Sequence, residues 1–342
     1  MAAPASDSPD PTRDGNPSVV LTTPDGGRMQ IFCAMPMVEG IAWEEFCMDL
    51  INYSTDTIEG TYGAVVPPRA IHPDVRRTLE LLFPGKRMAI KIAIGTLTQH
   101  RIRDWAATGD LNARASTITK RYLRTHFLGT HVKYLMAVEL RRWCDHTFYD
   151  MFIFATPPSV EGGQLVQAMA HIGEAVSAIL ADDVLGRHTF DLEPQNCMFD
   201  IDPKTRKASG YVSDLFAAED RATTIAMGLG RARHNYKYLA PETVHAEYDR
   251  GAANVFAMAL ILNVALSRKQ AYPGMAERDV TMGVRQGLRP ALFRDVPSKV
   301  GGLSSEQERL LVKLLQDSWT SDPATRPTPR QFSERLVAVL RA

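Results

Sequence analysis

The pattern of apolar and polar positions divides the chain into a strand-like first half and a helical second half. Residues 87–94 (RMAIKIAI) alternate around a single lysine and predict a buried strand. Ahead of it, the turn Gly60-Thr61-Tyr62-Gly63 runs into Ala64-Val65-Val66, and Pro67-Pro68 ends that segment. Residues 72–82 predict a short helix closed by Pro84-Gly85, and 29–53 mix apolar and acidic residues before the first strands. Residues 116–128 predict a helix capped by Ser116 or Thr117. Two strand-like runs follow within 138–154, the second at 148–154 (FYDMFIF). Beyond Pro157-Pro158 the spacing becomes helical, at 165–180, 252–267, 304–319 and 329–341. Two interruptions fall between these helices, a loop with a short apolar run at 191–199 and a second run at 211–215. Strands first and helices later predict an α+β fold with segregated halves.

Composition narrows the class. A chain of 342 residues is long enough for about two packed domains. Apolar residues at 45 % and charged residues at 23 % are ordinary globular values. Lysine plus arginine equals aspartate plus glutamate at 39 each, so net charge points to neither nucleic acid nor a membrane surface as partner. No apolar run approaches the length of a transmembrane helix. Residues 1–27 are rich in Pro, Asp, Ser, Thr and Gly and are expected to be disordered. They lack a secretory apolar core and are poor in arginine, so no leader is expected. Cys33, Cys47, Cys144 and Cys197 form no Cys-x-x-Cys pair, and no His-x-x-x-His pair occurs. A reduced, intracellular protein without a zinc ribbon is expected. Oligomeric state is not legible.

Several short segments carry candidate chemistry. The Gly60-x-x-Gly63-x-Val65 turn can bring backbone N–H groups close to phosphate oxygens. Lys91, alone in an apolar strand, needs an anionic partner. Asp191 can accept or orient the proton of a substrate hydroxyl, and Asn196, five residues on, can ligate a cation from the same loop. By themselves, a glycine hairpin, a lysine reaching water from an edge strand and an Asx-type turn at Pro194 account for these three segments.

Their order is more informative than any one of them. Gly60-x-x-Gly63-x-Val65, Met88-Ala89-Ile90-Lys91, Asp191-Leu192-Glu193-Pro194-Gln195-Asn196, Asp214-Leu215-Phe216, and Ala240-Pro241-Glu242 with Trp319-x-x-Asp322-Pro323-x-x-Arg326-Pro327-Thr328 occur in one sequence. Together they resemble the eukaryotic-type protein kinase family over about residues 55–342. The resemblance implies a bilobal α+β fold. A disordered 1–27 would precede a β-rich small lobe with an N-terminal extension at 28–156 and a helical large lobe at 157–342.

The resemblance also implies ATP and Mg2+ as cofactors and a protein substrate phosphorylated on Ser or Thr. Lys91 would hold the α- and β-phosphates, with Ile58, Gly60, Gly63, Val65 and Ala89 around the nucleotide. Asp191 would orient the acceptor hydroxyl, Asn196 and Asp214 would hold magnesium, and Leu215 would be an apolar plug. Glu242 and Arg326 would form a buried structural ion pair.

There are departures from the family pattern. Ile58 stands for a glycine, Thr189 and Phe190 for His and Arg, Glu193 for Lys, Phe216 for Gly, and Asn254 for Asp. Between Lys91 and Ala137 there is no glutamate to serve as the usual helix acid. Asp104, Asp110, Glu139 or Asp214 is left to meet Lys91. The altered neighbours keep an alternative open, a pseudokinase that binds nucleotide or a partner as a scaffold. Phe190-Asp191-x-x-Pro194-x-Asn196 is also similar to the catalytic loop of the conserved herpesvirus protein kinases. The expected setting is cytoplasmic or nuclear, within a host cell if viral. Thr223 and Thr224 are candidate modification sites, and Asp182-Asp183 is expected to be a solvated turn.

Overall fold

A computed structural model describes residues 18–22, 28–32, 58–60, 63–66, 68, 76–77, 79–80, 84–85, 87–93, 111–112, 114–123, 125–131, 136–154, 157–187, 189–190, 192–216, 236–245 and 247–342. The chain forms two compact units, one of residues 1–113 with 124–143 and the other of 114–123 with 144–342.

The first unit is strand-rich. β1 (Ser18–Thr22) pairs antiparallel with β2 (Arg28–Phe32). Val19-Val20-Leu21 is a β-branched and apolar run that suits a pleated pair. The main sheet has the order β3-β4-β5-β7-β6. Its strands are β3 (Ile58–Gly60), β4 (Gly63–Val66), β5 (Met88–Ala93), β6 (Thr125–His131) and β7 (Met136–Arg142), and every pairing is antiparallel.

A continuous helix over 116–128 does not form. Residues 114–118 are helical, and β6 begins at Thr125. Thr125, Phe127 and Thr130 favour a strand, and pairing with β7 overrides the local helical spacing.

In the second unit, β8 (His146–Thr147) pairs with β10 (Cys197–Ile201), itself paired with β11 (Ala208–Val212). The apolar run at 148–154 is not a strand, since α1 (Asp150–Ile153) occupies it. Thr147 N donates to Asp150 Oδ2 at 2.7 Å, and Asp150 N donates to Thr147 Oγ1 at 3.2 Å. This reciprocal capping starts a helical turn where apolarity alone suggested a strand. A two-stranded pair joins β9 (Thr189–Phe190) to β12 (Leu215–Phe216).

The helices are α2 (Gly162–Leu180), α3 (Arg250–Ser267), α4 (Glu277–Arg285), α5 (Ser305–Ser318) and α6 (Pro329–Arg341). Glu161 with Gln164, Ser304 with Gln307, and Thr328 with Gln331 form capping boxes that start α2, α5 and α6. The turn after α2 is more ordered than its two acids suggest. Asp182 Oδ1 accepts from Val184 N and Leu185 N at 3.1 and 2.9 Å, while Oδ2 meets Arg114 Nη2 at 2.9 Å.

α3 is the core of this unit. α2, α5 and α6 all pack against it, and Ala252 through Ser267 are buried. Its 18 residues, at a mean hydropathy of 1.4, are long and apolar enough to cross a membrane, contrary to the sequence expectation. The helix is nevertheless 89 % buried inside the protein, as a core helix is. Against the other side of α2 lies β11. A Cβ on Gly210 would come 1.9 Å from the Ala168 carbonyl oxygen, so only glycine permits this approach of helix and strand backbones.

Candidate active site

In the first unit, register places the candidate nucleotide residues together. Ile58 pairs with Val65, Val65 with Lys91, and Lys91 with Glu139. Directly opposed residues share a face of an antiparallel sheet, as do residues two apart on one strand. Ile58, Gly60, Gly63, Val65, Ala89, Lys91 and Glu139 therefore lie on one face. Gly60 also pairs with Gly63 across a two-residue connection. Of the acids considered for Lys91, Glu139 is its cross-strand partner. Asp104 and Asp110 lie outside the described residues.

In the second unit, the open end of the β10–β11 hairpin gathers Asn196 and Asp214. Cys197 pairs with Val212, so Asn196 and Ser213 come next on the two strands. Ser213 N donates to Asn196 O at 3.0 Å. Asn196 N donates to Glu193 O at 3.0 Å, closing the loop behind Pro194. Pairing of Phe190 with Leu215 brings the chain entering this loop beside the chain leaving Asp214. Asp191 itself lies outside the described residues, as do Thr223 and Thr224.

Asp214 has φ of 62°, in the left-handed region. For a residue other than glycine that region costs about 1–2 kcal/mol, less for Asp than for most. Hydrogen bonds on both sides offset the cost, at about 0.5–1.5 kcal/mol each. One is Ser213 N to Asn196 O, and the other is the buried bond from Leu215 N to Tyr122 Oη at 3.1 Å. Phe216 sits in β12 opposite Thr189. The conformation that would favour glycine is thus at Asp214, and Phe216 carries no such penalty.

The donor set fits a hard divalent cation. The Asn196 amide oxygen and the Asp214 carboxylate are oxygen ligands of the kind magnesium takes. Nearby, Ser213 Oγ and Gln195 Oε1 are buried without hydrogen-bond partners among the described residues. Orphaned polar atoms beside both candidate ligands are what a site that receives a hydrated ion would show.

Away from this end, His171 on α2 accepts from Gly210 N at 3.3 Å through Nδ1, and its Nε2 lies 3.4 Å from Arg121 Nη2. Burial, and then the Arg121 charge, push the His171 pKa down to about 4. Burial, and then the Glu193 carboxylate, push the Tyr238 hydroxyl above its usual range.

Glu242 and Arg326 meet in a bidentate pair, with Arg326 Nη1 to Glu242 Oε1 at 2.6 Å and Nη2 to Oε2 at 3.0 Å. Arg326 also donates to the carbonyls of Ala252 and Thr320, and its guanidinium lies 5.0 Å from the Phe256 ring centre. Arg289 lies 4.9 Å from the same ring centre. Asn254 is buried in α3. Two cavities, of about 500 and 680 Å³, border α6 and include neither Asn196 nor Asp214 in their walls.

Sequence reasoning missed Tyr122, Ser213, His171 and Arg289. The first three act through backbone groups far away in the chain, for which a single sequence carries no signal. Arg289 follows the unpredicted α4 and donates to the carbonyls of Val284 and Leu288.

No protein-family model matches the chain. It is 32 % identical over 108 residues to serine/threonine-protein kinase STY17 of Arabidopsis thaliana, covering 31 % of this chain and 17 % of that protein. To serine/threonine-protein kinase 12 of the same plant it is 26 % identical over 176 residues, covering 52 % of this chain and 34 % of that protein. The similarity to plant serine/threonine kinases suggests the protein kinase superfamily. A mixture of helices with small sheets is compatible with a kinase-like α+β fold. Across the matches to STY17, kinase 12 and STY46, the chain spans between 17 % and 34 % of the relatives' length.

Proposed function

We propose that the chain is an ATP-dependent protein kinase that transfers the γ-phosphate to Ser or Thr hydroxyls of a protein substrate. The observation that carries this reading is the Ser213 N to Asn196 O hydrogen bond, which ties the two candidate cation ligands to one backbone junction. In this reading the strand-rich unit is the small lobe and the helical unit the large lobe. The catalytic-loop likeness to herpesvirus kinases, and a cytoplasmic or nuclear setting, belong to the same proposal.

Asn196 and Asp214 would hold Mg2+, which neutralises charge on the transferring phosphoryl group. Lys91 holds the α- and β-phosphates, with Glu139 as the acid that orients it. Asp191 receives the proton of the substrate hydroxyl. The hydroxyl oxygen forms a bond to the γ-phosphorus, the bond from that phosphorus to the β–γ bridging oxygen breaks, and ADP leaves. Positioning and electrostatics supply most of such catalysis, and the residues proposed here serve those ends.

A second reading draws on Glu193. Glu193 lies three positions before Asn196 in the same loop, and a carboxylate there would repel a phosphoryl group rather than attract one. A pseudokinase scaffold that binds nucleotide or a partner would tolerate that charge. A γ-phosphate transfer assay with Mg2+, comparing the parent with Asp191→Ala, decides between them. A kinase loses incorporation in the variant; equal incorporation by both proteins sinks the enzyme reading. Thermal shift with ATP then measures binding alone.

A further inference from the structure

We propose that Tyr122 is a positioning residue for Asp214, its hydroxyl fixing the backbone on which that carboxylate is presented to a divalent cation. The inference rests on the reading of Asp214 as a cation ligand.

Tyr122 is built into the same strand system as the residue it would serve. Leu123 N donates to Val212 O at 2.8 Å, Val212 N donates to Arg121 O at 3.0 Å, and Tyr122 forms a parallel bridge with Val212. Residues 121–123 thus join the free edge of β11, the strand that runs directly into Ser213 and Asp214. The ring is 2 % exposed, and from there its hydroxyl reaches the amide of Leu215 at 3.1 Å.

The result is a clamp with two jaws. Ser213 is held to the Asn196 carbonyl on one side, and Leu215 to the Tyr122 hydroxyl on the other. Asp214, between them, sits at φ of 62°. A rotation about either backbone bond of Asp214 breaks one of the two contacts. Without the hydroxyl, the Leu215 amide loses this acceptor in a buried place, where backbone N–H groups are rarely left unpaired. Removing the phenol oxygen therefore takes away one of the contacts that hold Asp214 in the left-handed conformation, while its own side chain is untouched.

The test uses the full chain with ATP and Mn2+ as the probe, free Mn2+ being read by electron paramagnetic resonance. Tyr122→Phe keeps the buried ring and removes the oxygen. Loss of a group that orients a metal ligand weakens metal binding by about 10-fold or more. The expected result is a Mn2+ Kd raised by about that factor. Amide exchange at Leu215 is also expected to be faster. On an Asp214→Asn background, the further change at position 122 adds nothing to the Kd. If Tyr122→Phe has no cooperative unfolding transition, Tyr122→4-methylphenylalanine fills the space of the hydroxyl without accepting a hydrogen bond.

A parent that binds Mn2+ with ATP, an Asp214→Asn variant that binds it measurably more weakly, and a Tyr122→Phe variant equal to the parent overturn the role of Tyr122 alone. Additive losses in the double variant also overturn it, since they mark a structural effect that bypasses Asp214. A parent that takes no Mn2+ with ATP overturns the proposed function, and this role with it.

Discussion

Arg326 offers two guanidinium nitrogens to the two carboxylate oxygens of Glu242, at 2.6 and 3.0 Å, with the arginine side chain fully buried and Glu242 11 % exposed. Replacing Glu242 by Ala leaves a buried guanidinium without its counter-charge. Breaking such a pair from one side costs about 3–5 kcal/mol. Urea unfolding of Glu242→Ala is expected to show a loss of that size. A change below about 1 kcal/mol would mean the pair is screened like an ordinary surface bridge.

Gly210 and Gly274 give a graded comparison. Gly210→Ala forces a methyl group to within 1.9 Å of the Ala168 carbonyl oxygen, backbone against backbone, and neither side can turn away. A loss of about 3 kcal/mol or more is expected, at or above the top of the range for overpacking. Gly274 has open space around it but φ of 74°, so Gly274→Ala incurs only conformational strain, about 1 kcal/mol. Midpoints in guanidinium chloride should rank the parent, Gly274→Ala and Gly210→Ala in that order.

His171 makes stability depend on pH in a defined direction. Its folded pKa, about 4, lies below the ordinary 6.5, so the unfolded chain binds the extra proton first. Its contribution is complete above about pH 6.5 and falls away as pH drops from there toward 4. Because the ring is only half-buried, the loss is about 1–2 kcal/mol after solvent screening. Denaturation at pH 7 and pH 5 should show a smaller difference for His171→Gln than for the parent. Identical pH slopes would show that the Gly210 and Arg121 contacts do not disfavour the protonated ring.

Lys91 and Glu139 are cross-strand partners in the β5–β7 register. If Glu139 orients Lys91, Glu139→Gln should weaken ATP binding by about 10-fold, equivalent to about 1.4 kcal/mol. Asp104→Asn and Asp110→Asn should leave it unchanged. Isothermal titration with ATP and Mg2+ separates these cases, and a loss confined to either aspartate variant would reassign the acid.

How far the chain could be read in advance depended on how local the determinants are. The alternation around Lys91 specified β5, and helical spacing specified α2, α3, α5 and α6, because each pattern lies within its own element. The start of β6 reads as helix from local spacing because its strand character comes from β7, a partner that the spacing does not reveal. α4 escaped because it is short, polar and without a side-chain cap, so no start signal marks it. At the candidate site, Asn196 and Asp214 were legible as residue types at a suggestive spacing. The Leu215–Tyr122 bond spans 93 positions and was not. Phe216 stands in place of the family glycine, whereas the residue in the left-handed region is Asp214.

The burial of α3 has a consequence for biogenesis. Its cover comes from both directions along the chain, from α2 upstream and from α5 and α6 downstream. A nascent chain that has just completed residue 267 therefore carries an 18-residue apolar helix with only one of these three helices available. Until residues 305–341 emerge, that helix offers a surface that chaperones or membrane-insertion machinery would accept. The last helices thus complete the cover of the central one, and a chain ending near residue 300 should be captured or aggregate before it can fold.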